Sequence, residues 1–301
     1  MKKKILFLVV LCFFSIKEIS AQIILSDTSE ISIVTAGPGA ELYEKFGHSA
    51  IRIVDASLNI DLIYNYGIFD FNTPNFYTNF AKGKMYYVLA KYDFKYFIAS
   101  YNRDGRWLKQ QVLNLNLSEK KLIFNYLEKN ALQENAGYLY DPFFDNCATK
   151  LRDILQVTLK DSIALNSTKI LNNISLRELM DQEIYWYTWG NFGINTIAGT
   201  ILDKKRSQLA YTYLPDQLYK TVKYAKIKRA NKFIPLVEKE ELLLSFSEQP
   251  TPLHVLNPLL IFIILLIIVL FISFKDLKNN KRTKLLDFII FLITGIVGLI
   301  L

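Results

Sequence analysis

The chain has 301 residues, 51% of them hydrophobic, with a mean hydropathy of +0.17 and a formal charge of +8. That hydropathy is high for a soluble globular domain, so membrane segments come first in the reading. The charge sits at the two ends. Four lysines against one glutamate give +3 in residues 1–21, four lysines and an arginine against one aspartate give +4 in residues 275–284, and Asp287 removes one, which leaves about +2 for the region between. A nucleic-acid partner is therefore not implied by the total.

Lys2, Lys3 and Lys4 precede an apolar run over residues 5–14, and Ile19-Ser20-Ala21 has the small-residue pattern that signal peptidase accepts. Residues 1–21 are read as a signal peptide, with Gln22 as the mature start; the apolar run is short for an anchor. Cys12 lies inside that run without lipobox spacing and is not read as a lipidated cysteine.

The exported domain is expected over residues 22–253. Residues 31–34 predict a strand entering the turn Gly37-Pro38-Gly39, and residues 40–46 a helical turn. Alternation of Ile51 and Ile53 with Ala50 and Arg52 predicts a strand over 49–54, followed by strands over 61–67 and 85–92. Residues 93–102 read as helical and 107–115 as a strand. Ser118 is the expected cap of a helix reaching Ala131, with Leu122, Ile123, Tyr126 and Leu127 on one face. A further helix is expected from Asn146 to about Val157, striped by Leu151, Ile154 and Leu155. Ser175 is the expected cap of a helix over 176–181, before the aromatic run Tyr185-Trp186-Tyr187-Thr188-Trp189. Residues 161–235 are otherwise open, and their aromatic content suggests a lid or an acceptor groove. The aromatic content of the whole chain, 14%, is read as core packing and contact with the bilayer interface rather than as base stacking or sugar binding.

Residues 248–252 form a polar junction. An apolar segment over 255–274 is long enough to span a bilayer, the loop 275–284 is basic, and a second apolar segment fills 285–301. The basic loop belongs in the cytoplasm, which puts the preceding domain outside, in agreement with the signal peptide. Since the chain stops within an apolar segment, further spans are expected beyond it.

Removal of the signal leaves one cysteine, Cys147, which cannot form a disulfide within the chain. Asn146 caps the helix that Cys147 opens, where the backbone N–H groups and the helix dipole favour a thiolate and could hold an oxyanion. A thiolate nucleophile needs a histidine. Of the two histidines, His254 lies at the membrane boundary, and His48 opens the strand after Gly47. The pairing of Cys147 with His48 follows. Because His48 precedes Cys147, the order is the reverse of papain. The expected architecture is α+β, a circularly permuted papain-like Cys-His domain of the NlpC or lecithin:retinol acyltransferase kind, followed by transmembrane helices. Two histidines and one cysteine do not make a zinc site, and no phosphate-binding glycine loop is present, so no metal or cofactor is expected.

Four stretches in this order, Gly47-His48-Ser49-Ala50-Ile51-Arg52, Tyr64-Asn65-Tyr66-Gly67-Ile68-Phe69-Asp70-Phe71, Asn102-Arg103, and Tyr140 through Thr149, resemble the Lnb N-terminal periplasmic domain family over roughly residues 26–253. The resemblance implies an enzyme similar to lipoprotein N-acyltransferases, which move an acyl chain from a phospholipid to the α-amino group of a diacylglyceryl-modified cysteine. It implies Cys147 as nucleophile and His48 as base. Its implied partners are a phospholipid donor, a lipoprotein acceptor and the membrane. Its implied location is the bacterial inner membrane, with the catalytic domain facing the periplasm. Asn65, Tyr66 and Asp70 are candidates for orienting the imidazole, and Arg103 for holding a lipid phosphate. A cell-wall cysteine peptidase or amidase with the same pair, and a non-catalytic envelope binding protein, are the competing readings.

Overall fold

The structure, a computed structural model, describes residues 23–165, 173–248 and 255–300. The expected signal peptide and His254 lie outside the described residues. The fold is α+β. In chain order its first half comprises β1 (Glu30–Ala36), β2 (His48–Asp55), β3 (Ile60–Ile68), α1 (Phe76–Ala81), β4 (Tyr86–Asp93), α2 (Phe94–Arg103), β5 (Leu108–Leu113), α3 (Leu117–Asn130), β6 (Gly137–Leu139) and α4 (Cys147–Leu159). There follow β7 (Ile163–Ala164), α5 (Leu176–Asp181), α6 (Trp189–Ile197), α7 (Pro215–Tyr224), β8 (Lys226–Arg229), β9 (Lys232–Pro235), β10 (Val237–Leu244), α8 (Pro258–Lys278) and α9 (Lys284–Ile300).

Seven strands form one sheet in the order β10-β5-β1-β2-β3-β4-β6, every neighbouring pair antiparallel. Three short strands, β7-β8-β9, form a second sheet. The main sheet is covered on both faces, and strand alternation sorts the side chains. Ile31 and Ile33 of β1 and Ile51 and Ile53 of β2 join Ile123, Phe124, Leu127, Leu151 and Ile154 from α3 and α4 in the larger core. Val34, Ala36 and Ala50 point the other way, against Phe94, Phe97 and Tyr101 of α2. Deleting one of these large side chains, Leu151 for instance, should cost about 2–5 kcal/mol.

Two local expectations need correction. The cap of α3 is Asn116, whose side chain accepts from Glu119 N–H while the Glu119 carboxylate returns to Asn116 N–H; this reciprocal pair outcompetes Ser118, which lies inside the helix. On the same helix Leu122 is exposed, and Phe124 takes the buried position instead. The described residues 173–235 of the stretch left open have local structure of their own. Ser175 does cap α5, α7 starts with Pro215 in its first turn, and β10 returns to the edge of the main sheet beside β5.

Among the described residues α8 is the helix long and apolar enough to cross a membrane. Asn257 accepts from Leu260 N–H and Pro258 opens the helix, so it starts three residues later than the composition suggests. It also runs on through Lys275 and Lys278, because the expected basic loop begins as a final helical turn whose carbonyls favour cations. The apolar helix α9 follows.

Candidate functional site

Two pieces of chain build the site in different ways. The first is the stretch before α4. The Asp141 carboxylate accepts from Phe143 and Phe144 N–H, and Asp141 and Asp145 pair through both backbone groups. The Asn146 side chain accepts from Ala148 and Thr149 N–H at 2.9 Å each, and donates to the carbonyls of Pro142 at 2.7 Å and Tyr213 at 2.8 Å. Every hydrogen-bonding group of this buried amide is used, so its orientation is settled. Cys147 is thereby held as the first residue of α4, 7% exposed.

The second piece is the turn between β1 and β2. Gly47 has φ of +75°, and a Cβ there would lie 2.6 Å from the Ala36 carbonyl oxygen, so only glycine fits. His48 follows as the first residue of β2, opposite Ala36. The ladder between β2 and β3 starts only at Ile51 opposite Tyr64, and β3 bulges beyond Asn65 around Gly67, whose φ is +92°. The end of β2 is therefore open on that side. The backbone N–H of Ser49 faces the Cys147 sulfur there and helps to lower its pKa, as does that of Ala148, whose hydrogen bond goes to Asn146 Oδ1 at 2.9 Å.

At this open end the His48 imidazole and the Cys147 thiol lie close enough for each to shift the titration of the other. On its other side, His48 Nε2 lies 2.6 Å from Asn65 Oδ1, while Asn65 Nδ2 donates to the Tyr92 hydroxyl at 2.9 Å. Since the Asn65 amide nitrogen is committed to Tyr92, its oxygen must accept from Nε2–H, which leaves Nδ1 for the thiol. Phe97 packs beside the imidazole with ring centroids 6.4 Å apart.

The electrostatics favour a charged pair. Burial pushes the Cys147 thiol up, but the adjacent imidazole and the N–H groups of Ser49 and Ala148 more than reverse this, and the thiol lies below its ordinary value. Burial pushes His48 down, yet the Cys147 sulfur and the Asn65 oxygen hold it above the ordinary histidine value. Both shifts favour the thiolate–imidazolium form of a pair oriented by a neutral amide, the form that can attack an acyl carbon and then hand on a proton.

The chain matches the family model of the Lnb N-terminal periplasmic domain over residues 18–182 and that of the Lnb transmembrane domain over residues 249–301. It belongs to the Lnb family. As such it is a membrane protein with a periplasmic region, and α8 and α9 lie within the matched transmembrane part. No curated protein and no solved structure matches the chain.

Within this Lnb domain the structure separates the other candidates. Asn65 is beside the imidazole. Asn146 acts on the thiol through the helix cap. Tyr66 points to the opposite face of β3, buried in the larger core with its ring edge-on to Tyr138. Asp70 is exposed, and its carboxylate accepts from the backbone and side-chain N–H groups of Asn72 at 2.8 and 3.0 Å, which makes it a turn former remote from the imidazole's partners. Arg103 ends α2 in solvent and pairs with the neighbouring Asp104 at 3.2 Å.

Two groups escaped the sequence reading. Arg106 is the buried guanidinium of the region: it donates twice to the Gly37 carbonyl, at 2.9 and 2.7 Å, and to Glu44 at 3.2 Å. It thus pins the turn that delivers His48. Its positive charge also lowers His48, against the larger effects named above. Tyr92 escaped because a tyrosine in a strand is ordinary; nothing near it in sequence marks its hydroxyl. Among the described residues there is no cluster of three or more side chains suited to a metal.

Proposed function

We propose that this chain is a thiol-dependent acyltransferase of the inner membrane that moves an acyl chain from a phospholipid to the free α-amino group of a diacylglyceryl-cysteine lipoprotein. The observation that carries the reading is the polarised Cys147–His48 contact at a helix N-terminus, on an Lnb domain attached to a membrane helix. The order of a histidine strand followed by a thiol helix is also what a circularly permuted papain-like enzyme would need.

In the first half-reaction the Cys147 thiolate attacks the ester carbonyl carbon, and the new C–S bond leaves an oxyanion on the former carbonyl oxygen. The Ser49 N–H, which faces the sulfur, would receive that oxyanion, while the Ala148 N–H is held by Asn146 Oδ1 at 2.9 Å. Collapse breaks the ester C–O bond. The His48 imidazolium donates its proton to the departing glycerol oxygen, which yields a lysophospholipid, an acyl-Cys147 thioester and neutral His48. In the second half the acceptor amine attacks the thioester carbon and His48 takes the amine's proton. The C–S bond breaks, releasing the amide and restoring the thiolate–imidazolium pair. The thioester conserves the activation of the ester, so no nucleotide is consumed.

The test is intact-mass analysis of the full chain in phospholipid vesicles. We expect a hydroxylamine-labile acyl adduct on the wild type, lost in Cys147→Ala and reduced at least about 10³-fold in rate in His48→Ala. A folded wild-type protein that forms no adduct and leaves phospholipid unchanged would overturn the reading in favour of a cell-wall peptide substrate.

A further inference from the structure

A band of aromatic side chains connects the thiol to the membrane helix. It begins at Gly67, where the Cys147 Cβ and the Tyr140 ring both approach the position a Cβ would occupy, at 3.9 and 3.8 Å. Tyr140 stacks on Tyr87 with centroids 4.3 Å apart, and Tyr87 stacks on Phe69 at 4.8 Å. Phe69 meets Phe71 at 4.9 Å, Phe76 at 5.8 Å and Tyr43 at 5.9 Å. Beside Tyr43, Leu42 packs so closely on Gly190 of α6 that a Cβ there would lie 2.5 Å from a Leu42 methyl. The same helix carries Trp189 and Phe192 against Phe262 of α8, with centroids 6.4 and 5.3 Å apart, and the Trp189 indole donates to the Leu256 carbonyl at 2.8 Å.

The outer members of the band are left in solvent by the protein: Tyr43 is 58% exposed, Phe71 47%, Phe80 52% and Trp189 47%. Large aromatic groups concentrated in this way on one surface are costly in water and suit the headgroup level of a bilayer. The occupant is indicated by what the band is joined to. It abuts the first turns of a helix whose apolar side chains are themselves exposed along its length, so the plane that bathes α8 also meets α6. The exposed Lys82 and Lys84 directly after α1 would meet lipid phosphates at the edge of this surface.

We propose that this aromatic surface lies on the bilayer and guides a phospholipid acyl chain from the membrane to Cys147. The delivery of a chain rests on the acyltransferase reading above; the seating of the surface on lipid does not. The surface explains how an enzyme outside the bilayer could reach an ester linkage at its interface without extracting the whole lipid into water: the chain exchanges contact with lipid tails for contact with Phe71, Phe69, Tyr87 and Tyr140 in turn.

The seating is tested with full-length Cys147→Ala protein in phosphatidylcholine–phosphatidylglycerol vesicles containing a phospholipid with a diazirine in its acyl chain. After illumination, mass mapping should find adducts on peptides covering Phe71–Phe80 and Trp186–Phe192 as well as on α8. Adducts confined to α8 and α9 would overturn the proposal. The guiding role is tested on the Cys147-containing chain with Phe71→Ser and Phe80→Ser combined. Acylation of Cys147 from vesicles should fall about tenfold or more, while alkylation of Cys147 by iodoacetamide keeps its wild-type rate. Unchanged acylation from vesicles would overturn that role. A wild type that is crosslinked on the aromatic surface yet never acylated would refute the acyltransferase reading and leave the seating intact.

Discussion

The two halves of the Cys147–His48 pair are held by different physics. Cys147 stands on a largely self-contained piece of chain: Asp141, Asp145, Asn146 and Thr149 all bond within nine residues, and the Tyr213 carbonyl joins this cap from far along the sequence. His48 stands on long-range closure. Its turn is pinned by Arg106, its strand lies between β1 and β3, and its imidazole is oriented by Asn65 and, behind that, Tyr92. The thiol side thus depends on the helix cap, and the histidine side depends on the assembled sheet. Damage to the first should appear mainly in local stability, and damage to the second mainly in the alignment and titration of the pair.

The largest expected effect that separates them is at Asn65. Asn65→Ala removes the acceptor for Nε2–H and frees the imidazole to rotate, and we expect acylation of Cys147 to slow about 10–100-fold with little loss of stability. Asn65→Asp should instead retain orientation and raise His48 further, moving the alkaline limb of the rate profile to higher pH. An unchanged rate in Asn65→Ala would show that the long-range network is dispensable.

On the other side, Asn146→Ala leaves the first N–H groups of α4 and two carbonyls without partners, and should cost about 2 kcal/mol of stability by chemical denaturation in detergent. If the stability holds and only the rate falls, the division between the halves is wrong.

The pH profile reads both halves at once. The thiol is shifted down and the imidazole up, and both shifts widen the pH range in which the charged pair is populated. The acylation rate should rise with pH as the thiol ionises below its ordinary value, and fall as the imidazolium loses its proton above the ordinary histidine value; both limbs belong to the pair. Arg106→Gln removes a charge that lowers His48, so its alkaline limb should move upward. A limb that stays in place would limit Arg106 to holding the turn.

The smallest effect is expected at Tyr92. Tyr92→Phe removes one neutral hydrogen bond behind Asn65, worth about 1 kcal/mol, and should slow acylation only a few-fold. A loss as large as that of Asn65→Ala would make Tyr92 an essential part of the relay.

The same contrast decides what could be read before the fold was known. The cap at Asn146, the helix at Cys147 and the cap at Ser175 are legible because the bonds that make them join residues two to four apart. The strand that His48 opens is legible from alternation, but its neighbours are not. Asp70 and Arg103 were plausible from their place beside recognisable motifs, and both are spent on local partners at the surface. Arg106, three residues beyond Arg103, takes the buried position because β5 runs next to β1 and carries the chain just before it up to Gly37.

The sequence by itself determined the basic-apolar-basic layout of a membrane-attached chain, the α+β alternation, the thiol at a helix start and the scarcity of histidine that pairs it with His48. Each of these depends on composition or on interactions a few residues apart. Only the tertiary structure decided that Asn65 faces His48 while Tyr66 faces the core, that Arg106 and not Arg103 supports the turn, and that aromatic residues from five separate segments are gathered between α8 and Cys147. Those relations arise when segments tens of residues apart are closed onto one another, and the free energy of that closure comes from burial of the whole core rather than from any motif that can be seen along the chain.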